Sequence, residues 1–172
     1  QSFADESGGT RASGLGPGSA YELSADYIAG RMEAAGYNVT IQPFDFPFFE
    51  ELSVAEFEQL LPNMVQYPYF DGAGFATMSY SGAGDVTGIA EGVDLQLPPG
   101  ADANSSTSGC EASDFDGFTA GNIAIVQRGS CSFALKATNA EAAGAAGVVI
   151  FNEGQPGRTA AFLGTLGGPV LK

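Results

Sequence analysis

Two cysteines, one internal lysine and several adjacent carboxylates are the side chains of this sequence that could carry chemistry, and no histidine accompanies them. The missing imidazole removes a Ser-His-Asp triad, a Cys-His pair and every His-ligated zinc or copper site. Cys110 and Cys131 cannot close a structural zinc site by themselves, because such a site takes four ligands. Nor do they form a C-x-x-C redox motif, since the interval between them is far too long. Two buried free thiols or a disulfide remain. The even count, the turn-rich composition and the place of Cys131 in the turn Arg128-Gly129-Ser130-Cys131 favour a disulfide. It would close a loop of roughly 22 residues, worth about 3 kcal/mol in the chain-entropy model, and would imply an oxidising compartment.

Other groupings of reactive residues read as ordinary structure. Ser–Lys nucleophilic catalysis would need Lys136, which falls in mid-helix on a face that reads as polar, so a surface role is expected. Glu50-Glu51 and Glu56/Glu58 have the composition of an acid–base pair for glycoside hydrolysis, but solvated charges are the simpler expectation. Gly82-Ala-Gly84-Asp-Val-Thr-Gly88 departs from a dinucleotide loop in its last spacing, and no helix follows. Asp114-Phe-Asp116-Gly117 lacks the third acidic position and the terminal Glu of a calcium loop, which leaves a turn before a strand. Arg128 could bind a carboxylate, although an arginine at a strand-to-turn junction more often ties backbone carbonyls. Phe44, Phe46, Phe48 and Phe49 read either as a binding patch or as an interface with a neighbouring domain.

The elements that position these residues are set by periodicity and punctuation. Residues 1–18 are Gly/Ser-rich and extended. Ser19 and Glu22 have capping-box spacing, and Tyr21, Ala25, Ile28, Met32 and Ala35 recur at helical intervals up to Gly36, which predicts a helix over 20–35 that must pack on something. Tyr37, Val39 and Ile41 alternate as a half-buried strand. Pro43 and Pro47 demote the phenylalanine-rich stretch at 44–49 to an edge or extended segment. Residues 51–61 fit neither period. Short strands are expected at 75–80, 85–91 and 93–97, then a polar loop over 98–109. In the last third, 122–127 reads as a buried strand, 128–131 as a turn, 132–143 as an Ala-rich helix opened by Ser132, and 148–151 as a second buried strand. Strand–helix–strand with so short a crossover is a βαβ unit with parallel strands; the rest reads as antiparallel. The fold class is α+β, with a β-barrel or sandwich body and flanking helices.

Composition bounds the partners. The 172 residues suit one domain, or one with an appendage. Hydrophobic residues make up 44% and mean hydropathy is +0.06, against disorder. The 25 glycines and 9 prolines point to turns and short elements. A net charge of −14 with singly scattered Lys and Arg argues against nucleic acid and anionic membrane surfaces as partners, and reads as solubility. No run of residues is long and apolar enough to span a bilayer, and no leader pattern opens the sequence. Asn38-Val-Thr40 and Asn104-Ser-Ser106 match the glycosylation triplet, which matters only in a eukaryotic source.

Two blocks resemble known families. Gly121–Gly154, with its strand, Arg-Gly-Ser-Cys turn, helix ending Ala-Ala-Gly-Ala and strand ending Phe-Asn, resembles the protease-associated (PA) domain. That resemblance implies a PA-domain fold over 48–172 and a Cys110–Cys131 pair; for such a module the ligand surface is placed here at the loop Arg128, Gly129, Ser130 and Phe133 with the 98–109 loop. Gly8–Gly14, Pro17-Gly18, the helix with Tyr27 and Arg31, and Ala35–Phe44 resemble the N-terminal segment, here 1–47, of secreted di-zinc aminopeptidases of the aminopeptidase Y type, into which a PA domain is inserted.

The family's zinc ligands and glutamate base lie after that insertion, so the resemblance implies no catalytic or metal residue and no cofactor here. The two zinc ions belong to a catalytic domain acting in cis. A further apolar strand is expected where Gly168–Lys172 stands, which implies a piece of a longer protein with an open sheet edge that favours pairing between chains. The implied role is a non-catalytic, secreted region that shapes access to the active site or contacts peptide or protein substrate. A stand-alone PA-type binding or sorting module, or the PA insert of a subtilisin-like protease, is the alternative.

Overall fold

In the computed structural model, which describes residues 1–6, 18–70 and 74–168, the chain divides into two units, Gln1–Phe46 and Pro47–Lys172.

The first unit is built on α1 (Ser2–Asp5) and α2 (Ala20–Ala34). Capping sets the ends of α2. The Ser19 hydroxyl accepts the Glu22 amide at 3.2 Å, and the Glu22 carboxylate reaches back to the amide of Gly18 rather than to that of Ser19. At the other end Gly36, at φ 90°, allows the amide of Tyr37 to bond Met32 O and that of Gly36 to bond Glu33 O, a Schellman closure. Phe3 of α1 meets Tyr27 of α2 edge-on at 6.1 Å. The stripe expected to pack nevertheless stays open: Tyr21, Ile28 and Met32 are 63%, 55% and 43% exposed. The strand expected over Tyr37–Ile41 is not formed. A strand exists only through a partner's backbone, and among the described residues none is offered to this segment. The Gly8–Gly14 block lies outside the described residues.

The second unit holds two small sheets. β1 (Phe57–Gln59) and β2 (Val65–Tyr67) are antiparallel with Phe57 opposite Tyr67. Those two rings stack at 4.9 Å and Phe75 closes on Phe57 edge-on at 5.6 Å, so the hairpin rests on aromatic contact. β3 (Ala90–Gly92), β4 (Ile123–Gln127) and β5 (Gly147–Phe151) form a three-stranded sheet in the order β3-β4-β5, parallel throughout. Outside the βαβ unit the antiparallel reading therefore holds for β1–β2 and fails for β3, which pairs parallel with β4. α3 (Phe133–Ala142) makes the β4–β5 crossover as expected.

The α+β class stands, but the described strands make small sheets rather than a closed barrel. Of the three short strands expected between 75 and 97, only Ala90–Gly92 forms; 75–80 contributes isolated bridges, Phe75 to Tyr69 and Ser79 to Thr165. Asp94 takes φ 42°, a left-handed turn of the backbone that ends extension just past β3.

The core lies between sheet and helix: Val93, Phe115, Ala124, Val126 and Ala140. Ala124 of β4 and Ala140 of α3, both 0% exposed, fill the same core, and α3 packs on β5 and the 3-10 turn at 112–115. Full burial of Val126 is worth roughly 1.5–3 kcal/mol. α3 is capped by Ser132, whose hydroxyl accepts the Leu135 amide at 3.2 Å. It closes at Gly144 (φ 82°) with the Ala145 amide on Ala140 O.

Candidate binding surface

The βαβ unit throws its strand-to-helix turn, 128–132, against the end of the polar 98–109 loop. Gly129 makes the approach achievable: a Cβ there would stand 1.8 Å from Ser106 O. Ser106 O accepts the Ser130 amide at 2.9 Å, which fixes the two segments side by side. Cys110 and Cys131 then join them as a disulfide, with Cα atoms 5.8 Å apart. Arg128, Gly129 and Ser130 thus lie in a turn held against the end of the 98–109 loop.

Arg128 takes neither expected role among the described residues. Its amide donates to Phe151 O at 2.8 Å, while its guanidinium lies over the Phe162 ring, 5.0 Å from the centroid. Phe133 packs against the same ring at 5.4 Å. Arg128, Phe162 and Phe133 form a half-buried cation–aromatic patch beside the turn. Phe162 escaped the sequence reading because it stands alone in a stretch without periodicity.

Lys136 corrects the sequence reading outright. It is 0% exposed, on the α3 face turned to the sheet, not to solvent. Its ammonium donates to Ser108 O and lies 3.6 Å from Cys110 Sγ. The alanines around it disguised this face, since their small side chains leave room for a long stem to lie inward. Burial pushes its pKa below the ordinary lysine range, offset by the nearby carboxylates of Asp114, Glu153 and Asp94.

A buried polar network extends from there. The Ser108 hydroxyl donates to Val93 O and accepts the Gln127 amide at 2.9 Å. The Gln127 side chain, 1% exposed, accepts from the Gln96 amide at 2.9 Å and donates to Glu153 O at 3.0 Å. Glu153 is buried and paired through Oε2 with Arg158 Nε at 2.7 Å; Arg158 also donates to Asn104 Oδ1 at 2.7 Å. Ser106 and Ser108 fall within the stretch read from sequence as a polar loop. Only Gln127, polar at the end of an apolar strand, carried a signal. Above this floor opens a polar cleft of about 320 Å³, lined by Asp94, Leu95, Gln96, Ser105 and Thr107.

The carboxylate pairs bring no acid–base geometry. Glu51 is bound by the Tyr69 hydroxyl at 2.6 Å, and hydrogen bonds from Tyr69 and Thr77 hold its carboxyl below the usual range, which suits a permanent anion. Glu56 and Glu58 are exposed. Asp114 caps its own 3-10 helix (Ala112–Phe115) through the Glu111 amide at 3.1 Å, the turn expected before β4. Residues 82–88 form an irregular exposed loop. Among the described residues no cluster of three or more His, Cys, Asp or Glu is arranged to hold a metal ion.

Comparison with known proteins agrees with this geometry. Residues 94–169 match the family model described as PA domain. An aminopeptidase of Pseudomonas aeruginosa is 46% identical over 134 residues, covering 78% of this chain and 24% of that protein. The solved aminopeptidase from Aneurinibacillus sp. strain AM-1 superposes with a TM-score of 0.58 at 29% identity, over 93% of this chain and 33% of that one. A zinc aminopeptidase from Bacillus subtilis shares the fold at a TM-score of 0.51 and 24% identity, over 98% of this chain and 35% of that one. The chain thus spans about a quarter of the length of the curated relatives it first matches. Residues 94–169 of this chain are a PA domain, carried within a sequence similar to aminopeptidases along most of its length.

Proposed function

We propose that this chain is the non-catalytic, PA-bearing region of a secreted zinc aminopeptidase, in which it shapes substrate access and contacts peptide or protein. The observation that carries the reading is the alignment with the Pseudomonas aminopeptidase, 46% identical across 78% of this chain but only 24% of the relative. On this reading the segment 1–47 belongs to the peptidase scaffold and 48–172 to the PA domain. The open stripe of α2 and the unpaired residues 37–41 are then surfaces completed by a catalytic domain in cis, which would hold two zinc ions and supply the metal-activated water. The disulfide supports secretion, because such bonds persist in oxidising compartments. The surface assigned to peptide contact is the turn Arg128–Phe133 with its Phe162 patch and the neighbouring polar cleft, where cation, ring faces and hydrogen-bonding loops converge.

The experiment incubates the purified chain with zinc and aminoacyl-anilides. No turnover above the protein-free blank is expected; turnover that survives repurification would overturn the non-catalytic assignment. Peptide contact is tested by ¹⁵N NMR titration with short unmodified peptides, which should shift the amides of 94–107 and 128–133. Shifts confined to other residues, or none, would remove that surface from the proposed role.

A further inference from the structure

The disulfide of this chain is electrically lopsided. Cys110 Sγ has the buried Lys136 ammonium 3.6 Å away and the Ser130 hydroxyl 3.8 Å away. Lys136 has three N–H donors and makes a strong bond only to Ser108 O, with a disulfide sulfur, a weak acceptor, as its other neighbour. Carboxylates face it from each element around it: Asp114 on the 3-10 helix, Glu153 after β5 and Asp94 after β3. Their charges oppose part of the lowering that burial causes. Cys131 carries no comparable polar group among the described contacts, and it is partly exposed, as is Cys110.

We propose that Cys131 is a site of S-thiolation by low-molecular-weight thiols, with Cys110 as the leaving thiolate held by Lys136. A thiolate RS⁻ attacks Cys131 Sγ along the S–S axis. The R–S to Sγ bond forms, the Cys110–Cys131 bond breaks, and its electron pair leaves on Cys110 Sγ. One disulfide is exchanged for another, so no external oxidant or reductant enters. Exchange is faster when the leaving thiol has the lower pKa, and an adjacent ammonium lowers it. Opening the disulfide therefore gives Lys136 the full anionic partner that the intact bond withholds. It also removes the covalent tie between the 106–110 loop and the 128–132 turn and leaves the Ser130 hydrogen bonds to Ser106 O, so thiolation would loosen the surface assigned above to peptide contact. The chemistry itself stands apart from that assignment.

The test treats the folded chain with limiting glutathione at neutral pH, quenches in acid and maps the adduct after digestion with pepsin. The glutathione should sit on Cys131, with Cys110 free, in at least about tenfold excess over the reverse isomer, equivalent to ~1.4 kcal/mol between the two routes. In K136M the ratio should fall towards one. After full reduction of the wild-type chain, Cys110 should react with iodoacetamide at lower pH than Cys131, a readout that does not depend on the variant folding. Adduct on Cys110, an even split in the wild type, no adduct at all, or coincident alkylation profiles would each overturn the proposal.

Discussion

Replacing Ser108 by alanine removes one oxygen and should cost the fold more than its size suggests. That hydroxyl is 0% exposed; it donates to Val93 O and accepts the Gln127 amide at 2.9 Å. In Ser108→Ala both backbone groups stay buried without a partner, and each such loss costs about 1–3 kcal/mol. Partial relaxation puts the expected sum near ~3 kcal/mol. For a chain of this size that is a fall in Tm of about 6–12 °C, or a lower urea midpoint with an unchanged m-value. Ser105→Ala is the matched control: the same chemistry in the same loop, but exposed, with only a 3.5 Å contact to Gln96 Oε1. It should stay within about 0.5 kcal/mol of the wild type. If Ser108→Ala also falls within that margin, the buried network does not hold β3, β4 and the 106–108 loop together, and the floor assigned to the surface is wrong.

Gly129→Ala should be strongly destabilising, because its Cβ would meet a backbone oxygen, Ser106 O, at 1.8 Å and the turn must move away from the loop. Calorimetry should show a lower Tm, while Gly157→Ala, which meets nothing, registers only its φ of 79°; equal effects would refute the close approach. Lys136 has a depressed pKa in the fold, so between that value and the ordinary 10.5 the unfolded chain binds more protons and stability rises with pH. Chemical denaturation across the alkaline range should show a steeper rise in the wild type than in K136M; parallel profiles would mean that burial does not perturb this amine. Glu51, with its pKa lowered from 4.5, contributes stability that is present above 4.5 and lost as pH falls through its folded value. Glu51→Gln should flatten that acid limb, and an unchanged limb would dismiss the Tyr69 hydrogen bond.

The βαβ unit was legible because each of its signals is local. Ser132 caps, Gly144 stops, and the apolar runs at 123–126 and 148–151 are too short for helices. The resemblance to PA domains also rests on that contiguous block. The parallel partnership of β3 was not legible, since three residues carry no periodicity and their pairing depends on a strand some thirty residues away in sequence. Nor was the burial of Lys136. A lysine among alanines is read as a solvent-facing charge, whereas here the fold supplies Ser108 O and surrounding carboxylates to hold it. The strand expected at 37–41 shows the converse limit: alternation marks which face would be apolar, but hydrogen-bond partners decide whether a strand exists.

The central claim, that this sequence is the accessory region of a zinc aminopeptidase, is tested most directly by reading the gene beyond the codon for Lys172. The expected result is an open frame encoding a short apolar strand, then a His-x-Asp motif and a Glu-Glu pair able to serve a two-zinc centre. A stop codon there, or a membrane-spanning segment in place of those motifs, would contradict it.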